Sequence, residues 1–187
     1  MKLRRTALPL ALIVLAGTAL AATAAVGQIL PPVGNRAVPQ PAKPVDAGRY
    51  GGLWYEMGRY ENSFERGCEA VSAEYRMRDD GLIQVVNTCR AGGLDGPIKM
   101  IKGRARVVAG SDGAKLKVSF FGPFFFGNYW VLDHGEAYDW SIVGEPSGRY
   151  LWLLTRSAEP SPSVRAMLRA RAHELGYDTA LIRPTLH

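Results

Sequence analysis

Short apolar-rich runs recur between Tyr50 and Arg156 at intervals of roughly ten residues, separated by turn residues, which is the pattern of an all-β chain. The runs place strands at 53–60, 69–78, 81–90, 97–108, 114–121, 128–133, 138–144 and 149–156. Two connections carry tight-turn chemistry: Asp79, Asp80 and Gly81, and again Ser111, Asp112 and Gly113, offer a left-handed glycine to a hairpin. Such spacing fits an up-and-down antiparallel barrel or a sandwich, and eight strands is the number of a small closed barrel. After the eighth run the period lengthens. Ser161 or Ser163 can cap a helix in which Val164, Met167, Leu168, Ala172 and Leu175 share a face, while Arg165, Arg169 and Glu174 lie elsewhere; Gly176 ends it. A last extended piece at 177–182, before Pro184, makes a short ninth strand.

The residues ahead of this pattern are of another kind. Residues 1–25 form a secretory signal: Lys2, Arg4 and Arg5 are followed by an apolar stretch from Ala7 to Val14 and by small-residue cleavage sites at 19–21 and 22–24. Leu15, Ala16, Gly17 and Thr18 have the shape of a bacterial lipoprotein box with Thr18 in place of its cysteine, so the exported chain is expected in the periplasm or at the outer membrane without a lipid anchor. Residues 26–47, with Pro31, Pro32, Pro39, Pro41 and Pro44, read as a semi-extended linker with little to bury. Residues 48–187 are then one domain. Three of the six net positive charges belong to the signal, so the mature chain carries only about +3 and its charge does not call for nucleic acid.

The order of eight strands, helix and ninth strand is joined by two motifs. GLWY at 52–55 resembles the G-x-W signature on the first strand of the lipocalins, and YLWLLTR at 150–156 resembles the arginine-bearing motif of their last barrel strand. SFERG at 63–67, RDDG at 78–81 and LKVSFFGPF at 116–124 look like the subgroup of bacterial outer-membrane lipocalins related to apolipoprotein D. The middle motif departs from the family: DHGEAY at 133–138 stands where a T-D-Y-like turn is usual. The resemblance covers residues 48–184. It implies an eight-stranded up-and-down antiparallel lipocalin barrel with a C-terminal α-helix and a short ninth strand. It also implies a barrel floor of Gly52, Trp54 and Arg156, with the guanidinium packed on the indole in a cation–π pair of roughly 1–2 kcal/mol.

The resemblance further implies a cavity for one small hydrophobic ligand. Alternation puts Leu116, Val118 and Phe120 on one face and Trp152 and Leu154 on another shared with Arg156. The expected ligand-binding set is Glu56, Tyr75, Val118, Phe120, Phe124, Tyr129, Trp140 and Trp152, and the expected ligand is a fatty acid or a lysophospholipid carried or stored in the cell envelope. If Trp54 points inward, so does Glu56, whose carboxylate then needs a partner: Arg156, Tyr75 or Arg104, in that order. A bulge would instead turn Glu56 to solvent.

Cys68 and Cys89 are an isolated pair in an exported chain, which points to a disulfide. Pairing Arg78 with Leu82 sets Cys89 opposite Val71, so Cys68 has to curl back from the loop before its strand. His134, His173 and His187 fall in a turn, a helix and the terminus, a spacing that suggests neither a metal site nor a Cys–His pair, and no cofactor is expected. The alternatives to a carrier are a lipocalin-type enzyme acting on an isoprenoid or oxidised lipid, and an interaction module whose barrel is filled. Phe124, Phe125 and Phe126 are expected to crowd the open mouth, where an apolar cluster would meet a membrane; the chain is expected as a monomer or a dimer.

Overall fold

The computed structural model describes residues 30–187; the signal at 1–25, with Thr18, and the first residues of the expected linker lie outside them. A short helix α1 (Ala47–Tyr50) precedes β1 (Gly52–Tyr60), β2 (Cys68–Met77), β3 (Ile83–Ala91), β4 (Ile98–Val107), β5 (Lys115–Ser119), β6 (Gly127–His134), β7 (Trp140–Gly144) and β8 (Leu151–Thr155). Helix α2 (Pro162–Glu174), a 3-10 turn (Thr179–Leu181) and β9 (Ile182–Pro184) complete the chain. Each strand pairs antiparallel with the next, β8 pairs with β1, and β1 pairs back to β2 through Gly52–Tyr55, so the eight-stranded barrel closes.

Alternation along these strands creates two cores. The inward set fills the lower barrel with Trp54, Tyr75, Val85, Ala105, Leu116, Val131, Val143 and Leu154. The outward set, Met57, Leu132, Ile142, Leu151 and Leu153, meets Leu168 and Ala172 of α2. Ser161 caps α2 by accepting from the Val164 N–H, and Pro162 follows at the first helical turn, where its missing N–H costs nothing. The ninth strand differs from the sequence expectation. Residues 179–181 coil into the 3-10 turn, and the pairing starts at Ile182 and includes Pro184, tolerated because it lies on an edge.

Two further departures have physical causes. Residues 34–45, expected as a free linker, lie against the barrel. Gly34 and Asn35 donate their N–H groups to the Gly148 carbonyl, the Val45 N–H bonds the Asp112 carbonyl at 2.8 Å, and Val45 is buried in the barrel core. Proline removes donors but leaves the carbonyls and the intervening N–H groups to pair with the barrel's loops. The second departure is at the upper barrel, where β1 and β2 part beyond the Tyr55–Ser72 pair and the C-terminal tail enters the gap. Thr185 donates its N–H to Met57 and Leu186 accepts from the Ala70 N–H, so the tail bridges the wall.

Candidate ligand-binding site

The floor is built from neighbouring sequence. Gly52, at φ +85°, turns the chain from α1 into β1, and Trp54, the second residue beyond it, points into the barrel fully buried with its indole N–H donated to the Tyr50 carbonyl at 2.8 Å. The Arg156 guanidinium lies 3.8 Å over the indole ring. Arg156 also donates to the carbonyls of Arg49, Tyr50, Leu53 and Tyr138, so it ties the exposed end of α1, the first strand and the turn at 135–139 together. That turn is the departing middle motif. Its His134 stacks on Tyr138, and Asp133 pairs with Arg171 of α2 and with Lys43. Between α1 and the lower barrel only about 20 Å³ remains, room for one water.

Above the floor three inward tyrosines join hydroxyls: Tyr75 donates to Tyr129 at 3.0 Å, Tyr129 and Tyr50 share a bond of 2.9 Å, and Tyr50 reaches Ser141 at 3.0 Å. Burial pushes the Tyr50 hydroxyl up to about 12 and those of Tyr75 and Tyr129 higher, so all three stay neutral donors and acceptors. Higher still, Ala73, Val118, Phe120, Tyr129 and Trp152 face the same interior yet remain only half-buried. Inward side chains that keep accessible surface leave the upper barrel open from the mouth. Asn87 faces this space too, opposite Ala73 and Ile101, and its side-chain oxygen is buried without a partner. The loop at 61–67 folds across one side of the mouth, where Glu65 accepts from the Trp152 indole N–H at 3.0 Å.

The expected site residues therefore divide. Tyr75, Val118, Phe120, Tyr129 and Trp152 come together on the inner wall. Trp140 does not, because residue 140 has the outward parity of Ile142 and packs beneath α2. Phe124 stands exposed on the β5–β6 loop. Glu56 is inward and fully buried as alternation requires, but none of its expected partners meets it. Arg59 does, donating to Oε1 at 2.7 Å, with the Thr185 hydroxyl on the same oxygen. Arg59 was hidden from alternation, since an odd offset puts it on the opposite face from Glu56. A bulge between Glu56 and Gly58 reverses the parity, and the glycine inside the strand, packed against Ile182 and Arg183, was the one signal of it. Burial first, and then Glu65, push the Glu56 carboxyl up to about 7 against the pull of Arg59 and Thr185.

At the rim Cys68 and Cys89 form the disulfide, with Cα atoms 5.5 Å apart. The register problem is solved inside β2, where a bulge at Ala70, φ 46°, and Val71 brings Cys68 forward to pair with Ala91. Among the described residues no group of three His, Cys, Asp or Glu side chains converges as metal ligands would.

A closed antiparallel barrel, plugged at one end and lined with half-buried apolar side chains toward the other, defines a protein class: a small up-and-down β-barrel open at one end. Comparison with known proteins gives the class its family. The lipocalin-like domain profile matches residues 45–187. The outer membrane lipoprotein Blc of Vibrio cholerae is 40% identical over 146 residues, covering 76% of this chain and 84% of that protein. Apolipoprotein D of Macaca fascicularis is 34% identical over 127 residues, covering 64% of this chain and 65% of its own length. Among solved structures, the major allergen Per a 4 from cockroaches superposes with a TM-score of 0.61 at 16% identity, covering 82% of this chain and 95% of its own, a likeness of fold. The chain belongs to the lipocalin family, in the subgroup of the Blc lipoproteins and apolipoprotein D. Binding of small hydrophobic molecules comes with that membership.

Proposed function

We propose that this lipocalin carries a monoacyl lipid in the bacterial cell envelope, and that of a fatty acid and a lysophospholipid the second is its ligand. The observation that carries this reading is the polarity of the open upper barrel. Its wall is apolar, and the one charged group that reaches it among the described residues is the Glu65 carboxylate, which accepts from the Trp152 indole N–H; the other polar groups there, the Asn87 amide and the Tyr75 and Tyr129 hydroxyls, are neutral. The buried cation Arg59 is engaged by Glu56 and by the backbone carbonyls of Glu65 and Cys68, with its Nε–H alone left without a partner. A free carboxylate head would meet repulsion from Glu65. A glycerol hydroxyl or an ammonium head group would donate to the Glu65 carboxylate while its acyl chain lies along Val118, Phe120 and Trp152.

The envelope location rests on the signal at 1–25 and on the outer-membrane naming of the Blc relatives; Thr18 in the lipobox position leaves the chain unlipidated. Contact with the membrane is made by the β5–β6 loop, where Phe121, Phe124 and Phe126 are 82%, 62% and 80% exposed. Native mass spectrometry of protein isolated from its own periplasm tests the ligand, with retained lysophospholipid expected. Val118→Trp should fill the upper barrel and abolish retention with the fold intact. Retained fatty acid alone, or lysophospholipid retained equally by the Val118→Trp variant, would overturn the assignment.

A further inference from the structure

The outer face of β3, β4 and β5 carries a second feature. Register sets Gln84 opposite Arg104 and Arg104 opposite Ser119, while their neighbour Ala105 is buried in the inner core, so this row points away from the cavity. A groove of about 240 Å³ runs along it, lined by Arg78, Gln84, Lys102, Arg104, Ser119 and Gly122, with Phe120, which also packs on the inner core, forming part of its wall. At ~30 Å³ per water, that is room for more than a bare anion.

The charge here is not what folding asks for. Lys102, Arg104 and Arg106 follow one another on the outer face of β4, and among the described residues no carboxylate pairs with any of them. Arg106 stands directly opposite Lys117 of β5, a like-charge cross-strand pair that weakens a sheet. Arg104 is nonetheless held in place: it donates to the Gly122 carbonyl at 2.8 Å and lies 5.3 Å from the Phe125 ring, which also sits 4.9 Å from Arg106. Its other N–H groups make no hydrogen bond. Arg78 is engaged by Asp80 through two N–H groups. Lys102, the free side of Arg104 and the Gln84 amide thus present donors and an unneutralised positive charge, the complement of a phosphate with several acceptor oxygens, while the Ser119 hydroxyl is spent on the Gly122 carbonyl.

The groove opens at Gly122, one residue beyond the exposed Phe121. We propose that it is a phosphate-binding site that takes the headgroup of an anionic phospholipid in a bilayer, with the loop's exposed rings at the level of the acyl chains. The bilayer as source rests on the reading that this loop meets a membrane.

Flotation on vesicles of phosphatidylcholine, alone or mixed with phosphatidylglycerol, tests it. The wild type should prefer the mixed vesicles, and Lys102→Met with Arg104→Met should lower that binding about ten-fold or more, with the melting temperature and the affinity for detergent-dispersed lysophospholipid unchanged. Lys115→Met with Lys117→Met removes equal charge from the neighbouring strand and should cost far less. An equal loss in this control would mean diffuse attraction and would overturn the site, as would equal binding of the two vesicle types. Glycerol phosphate should compete only weakly; displacement at low concentration would assign the groove to a soluble phosphate ester and overturn the bilayer assignment. Replacing Phe121, Phe124 and Phe126 with Ser should weaken binding to both vesicle types alike. Failure of the loop reading therefore shows as no effect there, and failure of the groove as no preference between vesicles.

Discussion

Arg59 and Glu56 meet 2.7 Å apart inside the barrel wall, three positions along a single strand, because the bulge at Met57 lets both side chains face inward. The pair is sealed by the Thr185 hydroxyl of the C-terminal tail and by the Glu65 carbonyl of the loop at 61–67, so it fastens that loop to β1 and to the tail that pairs with it. Removing one member leaves a buried charge alone. Arg59→Met should cost about 3–5 kcal/mol in denaturant unfolding, whereas Glu56→Leu combined with Arg59→Met should cost less than Arg59→Met by itself. A single variant as stable as wild type would mean that the pair does not hold the upper barrel.

Glu56 also sets a pH dependence. Its carboxyl is raised from 4.5 to about 7 in the folded protein, chiefly by burial, so between those values the native state keeps a proton that the unfolded chain has released. The stabilisation is full below pH 4.5 and is lost as the pH rises through about 7. Unfolding free energies at pH 5 and pH 8 should therefore differ more for wild type than for Glu56→Gln. Parallel pH profiles would count against the raised carboxyl.

At the floor, Trp54→Ala should cost about 3–5 kcal/mol, as large truncations in packed cores do. Arg156→Ala removes the cation over the ring and four bonds to backbone carbonyls, two of them at the surface, so it should cost less. Thermal melts of the two variants give the order, and Arg156→Ala as the worse of the two would reverse the assignment of the indole as the plug.

The Cys68–Cys89 bridge closes a separation of 21 residues, which in the chain-entropy model contributes roughly 3 kcal/mol. Cys68→Ser with Cys89→Ser should lower stability by about that amount, and reduction of the wild type should reproduce it. A loss well under 1 kcal/mol would indicate that the tail and the Arg59 cluster hold the rim without it.

What was legible in the sequence follows from what is local. Trp54, Arg156 and the inward set Tyr75, Val118, Phe120, Tyr129 and Trp152 obey plain alternation or a motif of a few residues, and a reader of the chain can place them. Arg59 and Trp140 show the limits. Arg59 changes face through a bulge that the hydrophobic pattern does not encode, and Trp140, expected in the binding set, shares the outward parity of Ile142. The packing of residues 34–45 was equally hidden, because it rests on backbone groups of Gly34, Asn35 and Val45 and on isolated side chains, Asn35, Lys43 and Val45, that form no periodic pattern.

The β5–β6 loop shows the same limit and gives the last prediction. FFGPFFF at 120–126 promised three rings crowding the mouth, at 124, 125 and 126. Instead Phe125 turns back over Arg104 and Arg106 on the outer wall, Phe120 packs inside against the barrel core, and Phe121, Phe124 and Phe126 are left in solvent, with the last two rings 5.5 Å apart. Exposing three phenyl rings on one loop costs solubility and gives the barrel nothing, since none of them joins its packed cores. The arrangement makes sense if the rings enter an apolar phase, and Phe125, clamped by two guanidinium groups, holds the loop in the posture that presents them. Replacing Phe121, Phe124 and Phe126 with Ser should then slow lipid uptake from vesicles by about ten-fold or more, each buried ring being worth ~1.5–3 kcal/mol, while affinity for detergent-dispersed lipid and the melting temperature stay near wild type. Phe125→Ser should slow uptake by a smaller factor, because it frees the loop without removing the rings. Equal uptake rates for all three proteins would refute docking by this loop, and a loss of affinity in detergent with normal vesicle contact would make the rings part of the pocket instead.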